Sequence, residues 1–286
     1  MMPFSQKISS SMASLAILAT TLAAGLSFQP SHAHACGADT NCDILENRHY
    51  RIRMPEGHDG KTPVGAIIYA HGYKGTAAGA MRNKSLGKAV SDLGLALIAV
   101  KSGGDDWLLP NSPSETPVEE QKEPEYFDAV IKDASERFPI NTSNLMMTGF
   151  SAGGMMTWTL ACERSESFAG FAPMAGTFWS PTPQSCDTSP AHVLHYHGTS
   201  DKIVPLKGRP IRNTSQGNVF DVLSMYIKQG GYEGEDRSEP FDLKCQRSQN
   251  KDGKVLELCL HQGGHQFKTQ YIVRAWNELK ALGAIK

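Results

Sequence analysis

The sequence predicts an α/β fold with a mostly parallel central sheet flanked by helices. Three observations predict it. Short apolar runs of strand length alternate with segments of helical spacing, the pattern of parallel strands covered on both faces. The 286 residues are 40% hydrophobic and 20% charged, enough apolar material for one large core and too much for disorder. At Gly149-Phe150-Ser151-Ala152-Gly153 a buried strand has to turn sharply into a helix, leaving a serine at the bend.

Residues 1–35 stand apart from the rest. Lys7 precedes an apolar run from Met12 to Phe28, and Ala33-His34-Ala35 supplies a small-x-small cleavage pattern. The expectation is a signal peptide over 1–35, cut near Ala35-Cys36, followed by one folded domain over 36–286 that is secreted or periplasmic. A membrane anchor fits less well, because the run is short and rich in Ala, Ser and Thr, and no later segment is long enough to span a bilayer. Lipidation of Cys36 ranks second to simple cleavage, since Ala33-His34-Ala35 lacks a large aliphatic residue.

The elements follow in order. Tyr50–Met54 begins the sheet at an edge. Val64–Ala70, Leu95–Val100, Leu145–Phe150, Phe168–Pro173 and His192–Tyr196 are the central strands, each followed by a polar loop. Phe241–Cys245 and Val255–Leu260 flank the hairpin-like connection Asn250-Lys251-Asp252-Gly253. Helices are expected over 82–92, 124–137, 153–164, 217–229 and 269–282, with Pro124 suited to a first helical position and the last helix amphipathic. Residues 102–123 form a long irregular stretch, of the kind that often borders a site.

All six cysteines lie beyond residue 35, where export places them in an oxidising compartment. Sequence neighbours suggest the pairs Cys36 with Cys42, Cys162 with Cys186, and Cys245 with Cys259 across the hairpin. Their spacings are too long for a compact zinc site, and no metal is expected. The formal net charge is -1, and loss of Lys7 makes it one unit more negative. So balanced a chain has no basic stripe for nucleic acid, and a small or neutral substrate fits better.

Ser151 carries chemistry only if a base and an orienting carboxylate reach it. Behind a strand-to-helix elbow the expected chain order is Ser, acid, His. Asp201, in His197-Gly198-Thr199-Ser200-Asp201 after the strand 192–196, is the best acid; Asp187 and Asp221 are weaker. His265, in Gly263-Gly264-His265 between the last strand and the last helix, is the best base. His71 and His197 read as loop ties, and the other histidines as surface, strand or core positions. The amides of Ala152 and of Tyr73, in Ala70-His71-Gly72-Tyr73-Lys74-Gly75, would form an oxyanion hole. Trp107 and Trp179 are candidates for a substrate pocket, whereas Trp158 reads as core. The constellation describes acyl transfer through a covalent acyl-enzyme and needs no cofactor.

These residues resemble the secreted α/β-hydrolase esterases grouped with polyhydroxybutyrate depolymerases and feruloyl esterases. The match is strongest at Thr148-Gly149-Phe150-Ser151-Ala152-Gly153-Gly154-Met155-Met156, Phe168-Ala169-Gly170-Phe171-Ala172-Pro173-Met174-Ala175-Gly176 and His197 to Pro205, and spans from about residue 48 onward. The resemblance implies an α/β-hydrolase fold, Ser151, Asp201 and His265 as the triad, and Tyr73 and Ala152 at the oxyanion hole. It also implies a small-molecule or oligomeric ester as substrate. The chain departs from the depolymerase branch at His71-Gly72-Tyr73-Lys74, which lacks the cysteine after His-Gly, and no polymer-binding domain or linker follows. A serine peptidase on the same fold is the rival reading, and a catalytically silent binding protein a distant third.

Overall fold

Apolar runs too short for helices pair into one ten-stranded sheet in a computed structural model that describes Met1 and residues 36–113, 123–239 and 243–286. The expected signal peptide lies outside the described residues. The strands are β1 (Cys42–Leu45), β2 (Arg48–Arg53), β3 (Val64–Ala70), β4 (Ala96–Val100), β5 (Ile140–Phe150), β6 (Gly170–Met174), β8 (Val193–Gly198), β11 (Glu233–Glu239), β12 (Leu243–Gln249) and β13 (Val255–His261). Their order is β1-β2-β4-β3-β5-β6-β8-β13-β12-β11. From β4 through β13 every neighbouring pair is parallel, and the strands beyond on either side are antiparallel. A separate three-stranded sheet joins β7 (Trp179–Ser180), β10 (Thr214–Gln216) and β9 (Pro210–Ile211).

Alternate residues of the central strands face opposite layers, as the pleat requires. Ala66, Ile68 and Ala70 of β3 join a core made with α3 (Glu123–Arg137), α4 (Ala152–Glu163) and α5 (Val219–Gly230). Ile67 and Tyr69 join the opposite core, made with α1 (Ala77–Arg82), α2 (Lys84–Asp92) and α6 (Thr269–Ala281). Both faces are therefore covered, which explains why these strands read as continuous apolar runs. Contacts group His34–Lys286 into one unit. Among the described residues no helix is long and apolar enough to cross a membrane.

Several boundaries differ from expectation for local reasons. The helix expected over 82–92 is α2, which starts two residues later because Asn83 leaves the helical region and its Oδ1 accepts from Leu86 N at 3.0 Å as the cap; the short α1 just before it was not expected. The outermost strand is β1, not Tyr50–Met54, which lies one place inward as β2. At the other edge β11 carries almost no apolar residue and gave no strand signal.

Three disulfides join Cys36 to Cys42, Cys162 to Cys186 and Cys245 to Cys259, the pairing that sequence neighbours suggest. Cys245 and Cys259 are direct partners across the β12–β13 hairpin. The bridge from Cys162, at the end of α4, closes a loop of sequence separation 24. Chain entropy assigns such a loop about 3 kcal/mol. We expect the Cys162→Ser/Cys186→Ser variant to unfold at a correspondingly lower urea midpoint, measured with the other two bridges intact.

Candidate active site

Ser151 sits between β5 and α4 with φ 59° and ψ -120°, a conformation that costs a non-glycine residue on the order of 1–3 kcal/mol. The surroundings hold it there. A Cβ on Gly149 would lie 2.2 Å from Gly153 O, and one on Gly153 only 2.0 Å from Ala70 O, so the bend packs directly on the end of β3. From the other side Ser151 N donates to Met174 O at 3.0 Å. The two glycines of the motif are thus required by backbone contact, and the serine is lifted out of the sheet.

Asp201 occupies the turn after β8, and its side chain is fully buried. Its Oδ1 accepts from Ile203 N at 2.8 Å and Val204 N at 2.9 Å, and its Oδ2 accepts from His265 Nδ1 at 2.7 Å. Burial alone would push this carboxyl up; the bonds from His265, Val204 and Ile203 more than offset it and hold the pKa below the usual carboxylate value. The acid and histidine loops are stitched together by Thr199 N to His261 O at 2.8 Å and Ser200 N to Gly263 O at 3.1 Å. The His265 ring lies on Phe150, the residue before Ser151, at 4.5 Å between centroids. With Nδ1–H given to Asp201, Nε2 is the free basic nitrogen.

His261 stands four residues before His265, a spacing that two metal ligands also use. Its Nδ1 instead accepts from Gly263 N at 3.0 Å, and its ring packs on Tyr271. Asp187 directly follows the bridged Cys186 with its amide on Cys162 O, and Asp221 is exposed in the first turn of α5. Neither competes with Asp201.

The 71–75 loop abuts the elbow: a Cβ on Gly72 would lie 3.3 Å from Ser151 Cβ. Lys74 N donates to Asp105 O at 2.7 Å and Gly75 N to Gly72 O at 2.8 Å, fixing the peptides on either side of Tyr73. His71 ties this loop down. Its Nδ1–H donates to Gly72 O at 2.8 Å, its Nε2 accepts from Ser102 N at 3.2 Å, and its carbonyl accepts from Trp107 Nε1 at 2.8 Å. Burial lowers the His71 pKa to about 4, so the ring is neutral in this role. The amide of Ala152 belongs to the first turn of α4, where helical N–H groups have no carbonyl of their own.

A cavity of about 500 Å³ opens on Ser151 and is lined by Tyr73, Trp107, Ala152, Met155 and Trp179 among others. Both expected tryptophans are there, although Trp107 is 1% exposed and serves the core as well. Trp158 is core, as expected. Sequence reasoning missed the polar wall: Asp106 from the 102–113 loop, Arg209 just before β9 and Gln216 at the end of β10. The one available signal was the acid pair Asp105-Asp106 just before Trp107.

Burial, reinforced by Glu123 and Asp105, pushes the Asp106 pKa up to about 6 despite a bond from Trp107 N. A carboxyl raised in the folded state favours folding below its unfolded pKa and loses that contribution as pH rises through 6. We expect Asp106→Asn to raise the unfolding free energy by on the order of 1–2 kcal/mol at pH 8, part of the effect being screened by solvent. At pH 4 it should change nothing, and paired thermal melts at the two pH values check this.

Comparison with known proteins agrees with this architecture. The phospholipase/carboxylesterase family matches residues 105–216. A putative esterase, NocK, of Nocardia uniformis subsp. tsuyamanensis is 25% identical over 233 residues, 74% of this chain and 66% of the relative. Feruloyl esterase C of Emericella nidulans is 26% identical over 207 residues, 68% of this chain and 72% of the relative. An acetyl xylan esterase from Aspergillus awamori superposes with a TM-score of 0.58 and 15% identity over 82% of this chain and 96% of that one. Sheet order and structural likeness define an α/β-hydrolase fold. With its sequence relatives, the chain is a carboxylic ester hydrolase on that fold.

Proposed function

We propose that the chain is an exported serine esterase that hydrolyses carboxylic esters through an acyl-enzyme on Ser151. The observation that carries the reading is the 2.7 Å bond from His265 to buried Asp201, with the imidazole packed on Phe150, the residue before the elbow serine. His265 Nε2 takes the Ser151 proton as Oγ attacks the ester carbonyl, and Asp201 stabilises the imidazolium. The amides of Tyr73 and Ala152 receive the developing oxyanion. His265 then protonates the departing alcohol, and a water activated by the same nitrogen releases the acid.

The acyl group occupies the cavity between Trp107, Trp179 and Met155. Two indoles favour a flat aryl acyl group such as feruloyl over a hydroxybutyrate oligomer, in keeping with the feruloyl esterase C relative. Export through a signal peptide over 1–35 is supported by the three disulfides, which form and persist in oxidising compartments.

Purified protein is assayed on p-nitrophenyl esters, a feruloyl ester, a phthalate ester, hydroxybutyrate oligomers and a peptide amide. We expect ester turnover, fastest on the feruloyl ester, and little on the amide. Preference for the amide would move the assignment to a peptidase, and equal turnover by a Ser151→Ala variant would sink it.

A further inference from the structure

Two histidines in the core, His195 and His197 of β8, have no part in the steps above, yet neither exposes any surface. They continue a chain that begins on α4. Trp158 Nε1 donates to His195 Nδ1 at 2.9 Å, His195 Nε2 meets His197 Nδ1 at 2.8 Å, and His197 Nε2 meets Val204 O at 2.7 Å. Val204 N in turn donates to Asp201 Oδ1, and His197 Nε2 lies 3.6 Å from Asp201 Oδ2.

The chain runs only one way. An indole nitrogen donates and never accepts, so His195 Nδ1 must accept and its proton must sit on Nε2. That proton goes to His197 Nδ1, so the second ring also carries its proton on Nε2, aimed at Val204 O. Burial lowers the pKa of both rings and keeps them neutral. We propose that Trp158, His195 and His197 form a tautomer-locked relay that seats the Val204 turn and hence the Asp201 carboxylate, making them positioning residues of the hydrolytic site. The proposal rests on the reading of Asp201 as the acid of that site.

The opposite tautomers would give His197 a lone pair facing Val204 O and the Asp201 carboxylate, a repulsion that unseats the acid. Trp158→Phe keeps an aromatic ring on α4 and removes the donor that anchors one end of the chain, while Val204 O still holds the other. Nitrogen-15 spectra of the imidazoles in the full chain should show His195 and His197 entirely in the Nε2–H form, and in Trp158→Phe the His195 Nδ1 signal should move to that of a nitrogen that accepts no hydrogen bond. In that variant kcat on a p-nitrophenyl ester should fall roughly 10- to 100-fold with KM within about twofold. His197→Gln, which accepts and donates but has no tautomer to choose, should keep more activity than His197→Phe. In the His197→Gln background Trp158→Phe should cost no further kcat.

A wild-type His197 in the Nδ1–H form overturns the relay whether or not any variant folds. So does an unchanged kcat in Trp158→Phe, or an equal loss in the His197→Gln background. Loss of the serine reading would appear separately, as turnover surviving Ser151→Ala while the imidazole spectra stay as described.

Discussion

Ser151→Ala is expected to lower kcat/KM for any ester substrate by about 10⁴- to 10⁶-fold, leaving only what binding and the oxyanion amides contribute. Its fold should be intact, because the Ser151 side chain caps nothing in α4 and the backbone is held through Ser151 N and the two flanking glycines. Asp201→Asn should approach the same loss by a different route. Two amides hold Oδ1, so the asparagine keeps its oxygen there and turns its NH₂ toward His265 Nδ1. His265 must then accept at Nδ1 and carry its proton on Nε2, where it cannot take one from serine; the expected cost is about 10⁴-fold in kcat. The double variant should be little worse than Ser151→Ala alone, since the groups act as a unit. Steady-state kinetics with thermal melts on all three variants check this, and a multiplicative loss in the double variant would mean that Asp201 acts on something other than Ser151.

What the sequence made legible follows from strong local signals. Central strands such as Val64–Ala70 are apolar on both faces because helices cover both, and the Gly149–Gly153 motif is compulsory because a Cβ at either end meets backbone. The Cys245–Cys259 bridge was readable from a turn between two apolar runs. Signals failed where elements are short, polar or joined over long range. The strands β7, β9 and β10 are two or three residues each, too short for any period, so Arg209 and Gln216 could not be assigned to the cavity wall. The raised pKa of Asp106 is made by burial, which a loop sequence does not reveal. Trp158 was read correctly as core, but its bond to His195 spans 37 positions and depends on the packing of α4 against β8.

Glu257 is the sharpest case of a residue whose weight only the folded chain shows, and its loss carries the largest expected stability effect. It sits inside the apolar run of β13 with no exposed surface. Its Oε2 accepts from Arg274 Nη1 of α6 at 2.6 Å and its Oε1 from Arg247 Nε of β12 at 2.7 Å; Arg247 also reaches Glu278 at 2.6 Å. The pair therefore clamps β13 to α6, the two elements between which the His265 loop is strung. Glu257→Leu leaves Arg274 as a buried cation without that carboxylate, a defect that costs about 3–5 kcal/mol. For a chain of this size that lowers the melting temperature by roughly 10 °C. Adding Arg274→Met removes the stranded charge and should recover most of the loss, because an ion pair out of water is worth little more than well-packed apolar side chains. If kcat returns with stability in the double variant, the clamp matters only as packing; if stability returns and kcat does not, the ion pair itself sets the angle at which the histidine loop leaves β13.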